Sequence, residues 1–115
     1  MFLEKSQCDS LQEIQTLILR ECNIQYFEKS AACNFDELIN LECLFASHNM
    51  IKDLYGVGSL STLVELNLSF NRITDVTPLE ELVRLEKLFL SRNQISVIDT
   101  LGGLTKLKVL SLYSN

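Results

Sequence analysis

"LVELNLSFNRI", residues Leu63 to Ile73, carries leucine or isoleucine at its first, fourth, sixth and eleventh places and an asparagine at its ninth. An amphipathic helix repeats its apolar residues every three to four places and a half-buried strand every two. This stretch keeps neither period from end to end: only Leu66-Asn67-Leu68 alternates. Sliding it along the chain finds the same pattern again. "LEKLFLSRNQI" begins at Leu85 and "LKVLSLYSN" at Leu107, each a further 22 residues on. One 22-residue step back lies "LECLFASHNMI" from Leu41, with Ala46 in place of a leucine. A longer step of 27 reaches "IQTLILRECNI" from Ile14, where Cys22 replaces the asparagine.

Between these stretches the apolar residues fall every third place: Ile51, Leu54, Val57, Leu60 and Leu63, then Ile73, Val76, Leu79, Leu82 and Leu85, then Ile95, Ile98, Leu101, Leu104 and Leu107. A short alternating segment followed by a period of three predicts one turn of chain per unit, with every unit supplying one edge of a shared core. A single unit cannot bury its own apolar edge, so the units must stack.

The pattern resembles the leucine-rich repeat, and within it the 22-residue subclass found in a regulatory subunit of protein phosphatase 1 and an axonemal dynein light chain. The resemblance covers Leu11 to Asn115. It implies an α/β solenoid: a right-handed coil with a parallel concave sheet and short helical or 3-10 return segments. The expected organisation is a single domain over 1–115, with 1–13 as an N-terminal cap or partial repeat and repeat strands starting near 14, 41, 63, 85 and 107. Phe2 and Leu3 are the expected anchors of that cap. "SLQE", Ser10 to Glu13, has the form of a capping box, and "NFDEL", Asn34 to Leu38, that of a helix start. The last unit stops at its ninth place, so a C-terminal cap is expected to be missing and the isolated chain to self-associate through that edge.

Composition excludes several functions. The chain has 115 residues, 47% of them hydrophobic, which suits one domain with a core. A net charge of -5 argues against a nucleic-acid partner, which needs a basic stripe. Eight acidic residues face three basic ones from Met1 to Met50, against seven of each from Ile51 to Asn115. The N-terminus has neither a charged leader nor an apolar h-region, and no apolar run has spanning length, so neither secretion nor a membrane role is expected. The sequon Asn67-Leu68-Ser69 is then incidental. Cys8, Cys22, Cys33 and Cys43 lie at irregular spacings without a CxxC pair, which fits reduced thiols in the cytoplasm or nucleus better than a disulfide framework.

His48, the sole histidine, lies near Cys43 and Cys22 in register, but their spacing fits no zinc pattern. No acid pair, Ser/His/Asp set or phosphate loop is present, so no enzyme, metal or cofactor is expected. Alternation within the strands turns Glu65, Asn67 and Ser69 of the third unit outward. Across the units it predicts a central concave column of Ile18, Phe45, Asn67, Phe89 and Ser111. Thr16, Cys43, Glu65, Lys87 and Val109 flank it on one side, and Arg20, Ser47, Ser69, Ser91 and Tyr113 on the other. Asn49, Asn71, Asn93 and Asn115 are expected to form a structural ladder, with the first coil closed differently because Cys22 is only a weak donor. Phe70, at the strand's exit, is expected to be a filler.

The expected function is a non-catalytic protein-protein interaction scaffold. Its partner would lie on the concave face against Ile18, Phe45, Glu65, Asn67, Lys87, Phe89 and Tyr113. The alternative is a structural segment of a larger ciliary, centrosomal or ribonucleoprotein component, or a phosphatase regulatory module. The resemblance implies a cytoplasmic setting, with cilium, centrosome, cytoskeleton or nucleus as specific locations.

Overall fold

The computed structural model describes residues 11–27 and 37–115. Five strands of three residues each, β1 (Thr16–Ile18), β2 (Cys43–Phe45), β3 (Glu65–Asn67), β4 (Lys87–Phe89) and β5 (Val109–Ser111), form one parallel sheet in chain order. The register follows the repeat: Leu17, Leu44, Leu66, Leu88 and Leu110 lie side by side, each the fourth place of its unit. The fold is thus the leucine-rich solenoid that the repeat implied. Ser10, the helix start at Asn34 to Asp36, Phe2, Leu3, Cys8 and Cys33 lie outside the described residues.

The core is a stack of leucine layers. Leu41, Leu44, Leu63, Leu66, Leu68, Leu85, Leu88 and Leu90 are fully buried, together with Ile51, Val57, Ile73, Leu79 and Leu82 from the return side. Each described return segment from the second unit onward contains a 3-10 turn: Val57–Ser59, Thr77–Glu81 and Asp99–Gly103. The three-residue apolar period explains this choice, because a 3-10 helix has three residues per turn and keeps one apolar row against the core. Gly56 opens the first of these turns at φ 94, and Pro78 occupies the first helical turn of the second. Ile98 departs from the period. It is exposed where Leu54 and Val76, its equivalents, are buried. β5 is the outermost strand and has a neighbour on one side only, so the layer that would cover Ile98 and Leu110 from beyond is not supplied by these five coils.

The ninth-place asparagines tie coil to coil. The Asn71 amide group donates to the carbonyls of Leu68 and Ser69 in its own coil and of Ala46 in the preceding one, at 2.8, 3.3 and 3.1 Å. Its Oδ1 accepts the Ile51 N–H at 3.0 Å. Asn93 and Asn115 repeat the set one and two coils further on. Asn49 closes the first coil, where Cys22 stands in the ninth place: its Oδ1 accepts from both the Cys22 and the Ile24 N–H. The first coil also has an extra left-handed residue, Asn23 at φ 58.

Candidate functional site

The concave sheet presents side chains from the third and fifth places of each unit, because strand alternation sends the fourth and sixth inward. Ile18, Phe45, Asn67, Phe89 and Ser111 are register partners across all five strands and form one continuous column. Ile18 is 64% exposed, and Phe45, Asn67 and Phe89 are half-buried. Phe45 and Phe89 are two strands apart, about 10 Å at the usual strand spacing. Asn67 stands between them with its Oδ1 turned back to accept the Ser69 N–H at 3.1 Å. The neighbouring column holds half-buried Cys43, a free thiol, half-buried Glu65 and exposed Lys87. Tyr113, after β5, is 60% exposed.

The seventh-place column differs from expectation. Ser47, Ser69 and Ser91 are buried, not displayed. Two of the hydroxyls have partners: Ser69 Oγ accepts the Ser91 N–H, and Ser91 Oγ is hydrogen-bonded to Ser111 Oγ of the central column at 2.6 Å. A serine is short enough to recede beside the larger side chains of adjacent columns and still satisfy its hydroxyl.

The eighth place was not legible as a site. Glu21, His48, Phe70, Arg92 and Ser114 all adopt φ between 57 and 59, the left-handed region that non-glycine residues rarely enter. The turn is held by the sheet ladder continuing past the strands. The N–H groups of His48, Phe70 and Arg92 donate to the carbonyls of Ser69, Ser91 and Tyr113 in the next coil. The same backbone conformation in every coil aligns these side chains along the exit rim of the sheet. Phe70 is no core filler. It is 40% exposed, with the His48 ring stacked at 4.3 Å and 12° and the Arg92 guanidinium carbon 5.7 Å from its centroid. Arg20 Nε donates to His48 Nδ1 at 3.4 Å. The signal was present in the sequence as planar side chains recurring at the eighth place of three successive units.

At the other end of the strands, Asn40, Glu42, Thr62, Val64, Arg84, Glu86 and Lys106 line an open groove of about 300 Å³. Its charges are mixed, and Glu86 is paired with Lys108 at 3.2 Å. Among the described residues no group of three or more His, Cys, Asp or Glu side chains is placed to hold a metal ion. No described helix is long and apolar enough to cross a membrane.

A family model for leucine-rich repeats, spanning two copies, matches residues 39–81 and again 83–115, more than half of the chain. The chain belongs to the leucine-rich repeat family. Solved structures from Listeria monocytogenes resemble this leucine-rich repeat chain. An internalin, InlF, is 32% identical over 93% of this chain and 30% of its own, with a TM-score of 0.83. Internalin C2 is 35% identical over 68% of this chain and 34% of its own, at a TM-score of 0.65. The functional domain of InlJ, described as including a cysteine ladder, shares the fold at 24% identity and a TM-score of 0.69, over 87% of this chain and 20% of its own. The chain thus spans about a third or less of the length of these structures. No curated protein sequence matches it.

Proposed function

We propose that this chain is a non-catalytic scaffold that binds a partner protein on its concave sheet. The observation that carries this is the central column, where two half-exposed phenylalanine rings, Phe45 and Phe89, flank Asn67 on a surface that no other part of the described chain needs as core. Aromatic anchors of this kind concentrate binding energy, and a rigid sheet presents them with little ordering cost. Family membership supports a scaffold over a catalyst, since the repeats supply a surface and not a chemistry. The specific placement in the 22-residue phosphatase-regulator and dynein-light-chain subclass, in a cytoplasmic and ciliary or centrosomal setting, belongs to the same proposal. The 22-residue register and the free Cys43 thiol support it.

The test is affinity capture from a cytosolic extract with the 115-residue chain and with Phe45→Ala/Phe89→Ala, followed by hydrogen exchange on the captured complex. Protection confined to β2 through β4, and loss of the captured protein with the double variant, is the expected result. Protection confined to the 3-10 return segments contradicts it.

A further inference from the structure

We propose that the exit rim, Arg20, His48, Phe70 and Arg92, is a binding site for a carboxylate-bearing peptide segment, and that the partner's contact strand is therefore acidic. This rests on the scaffold reading in one respect, that the segment lies across the same strands. The site itself is separate from the Phe45–Phe89 column: His48, Phe70 and Arg92 lie three places further along their coils, and Arg20 two.

The chemistry follows from what the stack leaves open. The Phe70 ring is already stacked with His48 and has the Arg92 guanidinium carbon over it at 5.7 Å, so a nucleobase would have to compete with contacts the rim makes for itself. The Arg92 guanidinium carbon lies over the Phe70 ring, a cation–π position compatible with further N–H contacts to a partner. Among the described residues Arg92 makes no salt bridge, and Arg20 has only a loose 3.8 Å contact with its sequence neighbour Glu21. Two exposed guanidinium groups, with an aromatic bridge between their coils, match paired carboxylates on an extended chain, which arginine binds as a two-pronged fork. The rim carries two guanidinium groups against one carboxylate, Glu21, and the chain's net charge of -5 disfavours a polyphosphate partner.

The test uses two synthetic peptides of equal length, one with glutamate and one with lysine at every second position and serine and leucine between, and a single-stranded oligonucleotide of matching charge. Because His48 is the sole histidine, its ring proton resonances report on the rim alone. The expected result is that the glutamate peptide shifts these resonances and the other two probes do not. Binding should weaken about tenfold or more in Arg20→Gln/Arg92→Gln, the usual scale for charge-assisted bonds. Much of it should survive in Arg20→Lys/Arg92→Lys, with a steep salt dependence in the parent. Phe70→Ser should weaken it without unfolding the chain. Preference for the lysine peptide or the oligonucleotide, no binding of the glutamate peptide up to about 1 mM, or equal binding in the Arg→Gln pair overturns the rim site. Loss in Phe45→Ala/Phe89→Ala with full binding in the Arg→Gln pair overturns the rim and leaves the concave column standing. The reverse pattern keeps the rim and removes the column.

Discussion

Asn71 and Asn67 are four places apart and chemically identical, yet they stand in opposite environments. Asn71 is buried with three carbonyls and one N–H in reach, whereas Asn67 makes one bond from the concave surface. Removing the Asn71 amide leaves those groups unpaired between coils, so Asn71→Ala is expected to cost about 1 to 3 kcal/mol. Asn67→Ala should cost about 0.5 kcal/mol or less, since it removes a single part-buried bond, from the Ser69 N–H, at the half-buried concave surface. Urea melts of the two variants compare them directly, and equal losses would remove the ladder from the account. The ninth-place asparagine was legible in the sequence because one residue type recurred at one place. The eighth-place stack was harder to see: its one signal, planar side chains at His48, Phe70 and Arg92, is broken by Glu21 and Ser114 at the ends, and a φ near 58 leaves no composition signal without glycine.

The strands and return turns show where alternation stops being a reliable guide. It places Glu65, Leu66 and Asn67 correctly, because these three residues form β3. It fails at Ser69, which lies beyond the strand, where the chain is already bending towards the left-handed Phe70 and a short hydroxyl sinks into the row. The return side was legible as a period of three, but the turn chemistry within it is local. Gly56 sits at φ 94, so Gly56→Ala is expected to destabilise by about 1 kcal/mol. Gly102, in the turn Asp99–Gly103, has open space where a methyl would go, and Gly102→Ala should be neutral or stabilise by up to about 1 kcal/mol. Thermal melts that rank the two alike would place the first turn in an ordinary backbone region. At the next turn Asp75 accepts from the Thr77 hydroxyl at 2.6 Å and from its N–H at 2.9 Å. The hydroxyl first, and the N–H second, lower its pKa below the ordinary 3.8. A carboxylate depressed on folding contributes stability above its unfolded pKa and loses it as pH falls through the folded value. Thr77→Val should therefore raise the Asp75 pKa towards 3.8 in a carbon-detected titration, and an unchanged pKa would show that the backbone bond alone sets it.

Stability in a stacked solenoid is a sum of coil and interface contributions, so the same leucine differs in worth with the number of neighbouring coils. Leu66 and Leu88 are fully buried between strands on both sides, whereas Leu110, their equivalent in the outermost strand, is 40% exposed. Leu66→Ala and Leu88→Ala are expected to cost about 2 to 5 kcal/mol, the range for buried leucine truncations. Leu110→Ala should cost clearly less, and a flat profile across the three would contradict the one-dimensional stack. The same stack fixes the concave surface: it places Phe45 and Phe89 in one column, points neither into the core, and sends Glu80 and Glu81 to the exposed return side. On the reading proposed above, the concave column binds the partner. Calorimetric titration of the captured partner into the parent chain, Phe45→Ala/Phe89→Ala and Glu80→Ala/Glu81→Ala tests it most directly. The expected result is a loss of about 2 kcal/mol or more for the phenylalanine pair, about 30-fold in Kd, with the glutamate pair unchanged. Parental affinity in the phenylalanine pair together with loss in the glutamate pair would place the interface on the opposite side of the solenoid.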